Sequence, residues 1–121
     1  MSVSVVIVDD EADIRELLRV IIEGSGNEIR VCGEAHDGEE ALGVIEAADP
    51  DIVVLDERMP GMTGCETAAQ IMLRHPLARI ILCSAYIDTD LRRRAKEVGI
   101  RLCLPKGEIR RIPDAILKLT A

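Results

Sequence analysis

Three observations predict an α/β fold in which a parallel sheet carries helices on both faces. Short apolar runs alternate with longer amphipathic stretches five times along the 121 residues. The run Ile52-Val53-Val54-Leu55 is apolar at every position, as a strand covered on both faces requires. That run ends abruptly on Asp56, and the earlier run from Val3 to Val8 ends on Asp9-Asp10. Acids at such places suit the carboxyl edge of an α/β sheet, where ligands bind.

Each element follows from its own pattern. Val3–Val8 reads as the first strand. Asp9-Asp10-Glu11 opens a helix, with Asp10 a candidate cap and acids in the first turn. Ile14, Leu17, Leu18, Ile21 and Ile22 then recur at helical spacing, and Gly24-Ser25-Gly26 stops the helix. Glu28–Gly33 is short and strand-like. His36-Asp37-Gly38 turns into a second helix near Glu39–Ala47, with Ala41, Leu42 and Ile45 as its apolar stripe, and Asp49-Pro50 ends it. Asp51–Asp56 is the third strand. Met59-Pro60-Gly61 turns the chain toward a third helix over Cys65–Leu73, which ends at His75-Pro76. Arg79–Cys83 is the fourth strand. Asp88 or Thr89 caps a fourth helix that runs to Val98 and stops at Gly99. Arg101–Leu104 is the fifth strand and Pro105-Lys106-Gly107 a turn. A fifth helix shows Ile109, Ile112, Ile116 and Leu119.

Connections are short, and no linker, repeat or low-complexity segment interrupts residues 1–121, which read as one domain. One strand order compatible with this alternation is the flavodoxin-like 2-1-3-4-5, which sets strands one and three side by side and gathers Asp9, Asp10 and Asp56.

The core is aliphatic: the chain has no Phe or Trp and one Tyr. Its net charge of −7 is unevenly spread. Residues 1–66 hold 17 acids against 4 Lys/Arg, a balance of −13, and residues 67–121 hold 5 against 11, a balance of +6. The acidic half argues against a bulk phosphate-backbone binder, and the basic half offers a local docking face. Cys32, Cys65, Cys83 and Cys103 form no CxxC pair and read as buried thiols of a reducing, cytoplasmic compartment. No signal peptide or membrane-length apolar run is visible. His36 and His75 receive no role.

Three clustered carboxylates repel one another and call for a cation. Oxygen-only ligation suits Mg²⁺, which keeps several waters and accepts phosphate oxygens. An Asp carboxylate can itself be the nucleophile that becomes an aspartyl phosphate, and Asp56, at the end of the central strand, is the better placed. Ser84, after strand four, can donate to a phosphoryl oxygen, and Lys106, after strand five, can set a cation against it. Each of these residues alone has an ordinary reading as a turn or solvated residue; their value lies in sharing one edge of one sheet.

The pieces Val6-Ile7-Val8-Asp9-Asp10-Glu11, Leu55-Asp56-Glu57-Arg58-Met59-Pro60-Gly61-Met62-Thr63-Gly64, Ser84-Ala85 and Lys106 together resemble the receiver (CheY-like) domain of bacterial two-component response regulators, over essentially the whole chain. The resemblance implies that Asp56 is phosphorylated by a sensor histidine kinase or histidine phosphotransfer protein. It implies Mg²⁺ held by Asp10 and Asp56 directly, by Asp9 mostly through water, and by the backbone carbonyl of Arg58. Ser84 would be the switch hydroxyl and Lys106 the phosphoryl partner, with the amides of Glu57 and Ala85 helping to hold the group. The domain would catalyse its own phosphorylation and dephosphorylation while acting mainly as a signalling switch. The phosphoryl state would bias the face made by helix four, strand five and helix five.

This chain departs from the family pattern in three places. Cys103 stands three residues before the lysine, where the family often has Tyr or Phe, so switching is expected to be weaker or to run through Leu102, Leu104 and helix four. Gly107 follows Lys106 where the family often has a cis proline, so that slow isomer is expected to be missing. Arg58 and Tyr86, two residues after Asp56 and Ser84, would restrict the attacking water and lengthen the phosphoryl lifetime.

From Leu91 to Arg111 there are eight Lys/Arg and two acids, which read either as a solvated helix surface or as a docking patch for an acidic effector or, in a phosphorylation-dependent dimer, a second copy. Direct nucleic-acid binding is disfavoured, since only one short patch supports it. A phosphorylation-independent binding module is the alternative, kept open by Cys103. An aspartate-nucleophile phosphatase is opposed by the missing second Asp after Asp56-Glu57-Arg58, and a nucleotide-binding protein by the absence of a phosphate loop. A stand-alone regulator and a receiver from a longer protein remain equally compatible.

Overall fold

The computed structural model describes residues 2–121. In chain order the elements are β1 (Val3–Val8), α1 (Ala12–Glu23), β2 (Ile29–Ala35), α2 (Gly38–Ala48), β3 (Ile52–Leu55), α3 (Gly64–Arg74), β4 (Arg79–Ser84), α4 (Thr89–Glu97), β5 (Leu102–Pro105), a 3-10 segment (Lys106–Arg111) and α5 (Ile112–Thr120). The five strands form one sheet in the order 2-1-3-4-5, every neighbouring pair parallel. This is the flavodoxin-like order expected from the sequence.

Strand alternation divides the core into two layers. Val6, Val8, Val53, Leu55, Ile80 and Leu82 face one way and are packed with residues of α2, α3 and α4. Val5, Ile7, Val54 and Ile81 face the other way, with Leu18 and Ile22 of α1 and Ile112 and Ile116 of α5. All four residues of β3 are buried, as its unbroken apolar run demands. On β1 and β2 the register skips Cys32 between Val31 and Gly33, a bulge that lengthens β2 beyond the expected Glu28–Gly33.

Helix starts are chemically distinct. Thr63 and Glu66 make a reciprocal capping box at α3. Asp37 accepts the Glu40 N–H at 2.8 Å, and Asp88, one of the two expected caps of α4, accepts the Leu91 N–H at 2.8 Å. The candidate Asp10 cap is not found: the residue before α1 is Glu11, and it makes no side-chain cap bond. Asp9 supplies the local bond instead, accepting the Glu11 N–H at 2.9 Å, which leaves Asp10 exposed. The expected turn at Pro105-Lys106-Gly107 is also revised. Pro105 closes β5, and a 3-10 segment leads into α5 from Ile112. Pro113 in the first turn of α5 fits the physical rule that this position needs no N–H partner. No peptide bond is cis among the described residues.

The third helix starts so close to β3 that side-chain volume is excluded. A Cβ on Gly64 would lie 2.4 Å from the Asp56 carbonyl oxygen and 2.8 Å from the Glu57 Cα, both backbone atoms. Gly64→Ala would gain up to about 1 kcal/mol of helix propensity, but displacing backbone costs about 3 kcal/mol. A net loss of about 2 kcal/mol is expected in urea unfolding; an unchanged midpoint would show that the two segments separate at no cost.

Candidate functional site

Strand register builds the site. Val8 pairs with Leu55, so the next residues, Asp9 and Asp56, emerge side by side at the carboxyl edge. The Asp56 N–H donates to the Val8 carbonyl at 3.0 Å, and the Asp9 N–H donates to the Ala35 carbonyl at 3.1 Å, which fixes both backbones. Ser84 pairs with Pro105, so Lys106 begins one residue past that pair, at the same edge.

Asp9 and Asp56 are 1% and 4% exposed, so water screens their charges poorly. Lys106 answers them from across the sheet. Its Nζ lies 2.9 Å from Asp9 Oδ2 and 3.2 Å from Asp56 Oδ2, with Glu11 Oε1 at 3.9 Å. Burial pushes the Asp56 carboxyl above its ordinary pKa and the charge of Asp9 pushes it further, while Lys106 and the Ser84 hydroxyl oppose the rise. For Lys106 burial acts downward, but the hydrogen bonds and charges of Asp9 and Asp56 outweigh it, and the ammonium is raised.

Asp9, Asp10 and Asp56 each offer a carboxylate oxygen, all within 4.8 Å of one another. Three carboxylates against one ammonium leave an excess of two negative charges. That excess and the all-oxygen donor set fit a hard divalent cation. A carboxylate so placed beside a cation site, a lysine and a buried serine hydroxyl is positioned for metal-assisted phosphorylation. The thiols are not part of this chemistry. Burial pushes Cys83 and Cys65 up to about 12, so both stay protonated. Cys32 and Cys103 are only half-buried, where burial of all four was expected, and all four are free.

Beside the carboxylates lies an open cleft of about 550 Å³, lined by Asp10, Glu57, Arg58, Tyr86, Leu91 and Arg94 among others. Arg58 and Tyr86 are both exposed on its wall, Tyr86 at 66%. Cys103 is half-buried against the α2–α3–α4 layer.

Two features of the site escaped the sequence. Glu57 follows Asp56 and reads as a solvated turn acid, yet it is buried. Its Oε1 accepts the Cys65 N–H at 2.8 Å, and its Oε2 lies 3.4 Å from Arg94 Nη1. Arg94 reads as one of three arginines on a solvated helix. The only available signal was the proximity of Glu57 to Asp56, since nothing in the spacing links residues 57 and 94. Away from the site, His75, given no role, sets its Nε2 3.0 Å from Glu46 Oε2, between α2 and the end of α3.

Comparison with known proteins agrees with this geometry. The response regulator receiver domain family matches residues 5–117. A protein-glutamate methylesterase/protein-glutamine glutaminase of Pyrococcus horikoshii is 40% identical over 107 residues, which are 87% of this chain and 28% of that protein. The chain spans about a third of the length of such curated relatives. The signal receiver domain of the response regulator NarL from Mycobacterium tuberculosis superposes with a TM-score of 0.90 at 36% identity, covering 97% of this chain and 94% of that one. The response regulator domain of Thermotoga maritima CheB gives 0.86 at 27% identity, over 99% and 95%. With matches of this extent to both its sequence and its fold, the chain belongs to the response regulator receiver domain family.

Proposed function

We propose that residues 1–121 act as one phosphoryl-accepting switch in which Asp56 is the acceptor. The observation that carries this reading is the convergence of Asp9, Asp10, Asp56 and Lys106 at one sheet edge, with an excess of negative charge matched to a divalent cation. The donor is a phosphohistidine of a sensor kinase or phosphotransfer protein. An Asp56 carboxylate oxygen attacks phosphorus, the bond from phosphorus to the donor nitrogen breaks, and the electron pair leaves with the imidazole. Hydrolysis later returns the carboxylate and releases phosphate.

Mg²⁺ is the cation we assign; Asp9, Asp10, Asp56 and the Arg58 carbonyl would hold it, and it would screen the repulsion between carboxylate and phosphate. The chain's own residues do the rest. Lys106, freed from bridging Asp9 and Asp56, pairs with a phosphoryl oxygen. The Ser84 hydroxyl and the Glu57 and Ala85 amides donate to the others. Arg58 and Tyr86, on the wall of the cleft, limit the approach of the hydrolytic water. The output is partner binding by the basic surface of α4, β5 and α5, to an effector or to a second copy. Arg92, Lys96 and Arg101 line a hollow there with Ile100, Leu102 and Cys103. Among the described residues no helix is long and apolar enough to cross a membrane, in keeping with the cytoplasmic setting we assign.

Three outcomes are expected. Incubation with Mg²⁺ and acetyl phosphate adds one phosphoryl group, about 80 Da in intact mass, and the adduct needs Mg²⁺ and disappears in Asp56→Asn. Absence of an adduct in a protein that binds Mg²⁺ would favour a phosphorylation-independent module. Mg²⁺ at ten times its Kd contributes about 1.4 kcal/mol to stability, a Tm rise of about 5 °C. Asp10→Asn removes that rise, and an equal rise in the variant would place the cation elsewhere. The R58A/Y86A double variant loses its phosphoryl group about tenfold faster, equivalent to about 1.4 kcal/mol of barrier; slower loss than in the unsubstituted protein would overturn the role of the cleft wall.

A further inference from the structure

The helix α4 is weakly held. Of its nine residues only Leu91 and Ala95 are buried. Arg93 pairs within the helix, with Asp90 at 2.5 Å and Glu97 at 3.0 Å. Arg94 pairs with Asp90 at 3.0 Å and also reaches out of the helix, to Glu57. Among the described residues this is the one ion pair that joins α4 to a residue outside the helix. An element with so little buried surface moves readily when a single contact changes.

The other end of that contact is tightly fixed. The Glu57 carbonyl accepts the Gly64 N–H at 2.9 Å, and its carboxylate accepts the Cys65 N–H. The Glu57 backbone, one residue past Asp56, is therefore held against the start of α3, and its carboxylate is held against the same turn. The Glu57 side chain is 11% exposed and that of Arg94 43%. A carboxylate this buried depends on its counterion far more than a surface acid does, whereas the guanidinium can swing into the adjoining cleft, which both residues line.

The geometry points to the Glu57–Arg94 pair as a latch that couples the state of Asp56 to the position of α4. This inference rests on Asp56 being the phosphoryl acceptor. A phosphoryl dianion next to Glu57 competes for Arg94, which turns toward the cleft and releases α4 from Glu57. Arg94 is thus a positioning residue for the output helix. The latch links site and helix without an aromatic side chain at Cys103. Coupling is reciprocal, so loss of the pair also changes the affinity for a phosphoryl mimic.

The test is hydrogen exchange of the α4 amides in the full chain with Mg²⁺, with and without beryllofluoride, whose binding is followed by fluorine resonance. In the unsubstituted protein bound mimic is expected to speed α4 exchange about fivefold. Arg94→Gln and Glu57→Gln exchange fast from the outset and change by less than about twofold on binding the mimic. Glu57→Gln keeps an acceptor for the Cys65 N–H, which separates loss of the latch from loss of the α3 start. Arg93→Gln responds like the unsubstituted protein. If Arg94→Gln binds the mimic and its α4 still responds fivefold, or if bound mimic leaves α4 unchanged in the unsubstituted protein, the latch is wrong while the acceptor stands. If the unsubstituted protein binds no mimic, the acceptor reading fails and the latch with it.

Discussion

The whole arrangement depends on keeping two carboxylates, Asp9 and Asp56, buried side by side at the ends of β1 and β3. Their mutual repulsion in a poorly screened edge is costly unless a cation stands between them. Lys106 supplies it, at 2.9 and 3.2 Å. That requirement explains why β5 must pair with β4 in the register that ends at Ser84 and Pro105, and why a 3-10 segment begins at the lysine itself. A lysine placed later in a regular helix would carry its ammonium away from the sheet edge. The ion pair that stabilises this edge thus engages the ammonium that, in the proposed switch, would pair with a phosphoryl oxygen.

Most of the fold was legible because its central strands, β1, β3 and β4, are largely buried on both faces. A run such as Ile52–Leu55 has no polar position to blur its assignment, and the acid that ends it marks the sheet edge without any structural information. The positions of Asp9, Asp56, Ser84 and Lys106 at the sheet edge were legible for the same reason, since each directly follows or ends a strand, and Asp10 comes one residue later. What stayed hidden depended on local competition or long-range contact. Asp10 had the composition of a cap, but Asp9 took the local N–H. The start of α5 was blurred because Ile109 sits at helical spacing from Ile112 while the backbone between Lys106 and Arg111 is 3-10, with Glu108 outside helical angles. The burial of Glu57 could not be read at all, because it depends on an α3 amide and on an arginine 37 residues away.

That last contact changes how the basic half of the chain is understood. Counted along the sequence, the arginines of α4 form one exposed cationic stripe. In the fold they divide by function. Arg93 is engaged within its own helix, Arg94 is shared between Asp90 and Glu57, and Arg92 and Lys96 are left to face Arg101 around the α4–β5 hollow. Arginines engaged in ion pairs and cations lining the hollow are therefore adjacent residues on one short helix. An acidic partner that grips Arg92 and Lys96 pulls on the same element that Arg94 ties to Glu57. By linkage, a partner that prefers α4 released must favour the phosphorylated state by the same factor. Under the proposed latch, a local charge at Asp56 would reach the surface through one buried acid and one arginine, with no aromatic residue needed at Cys103.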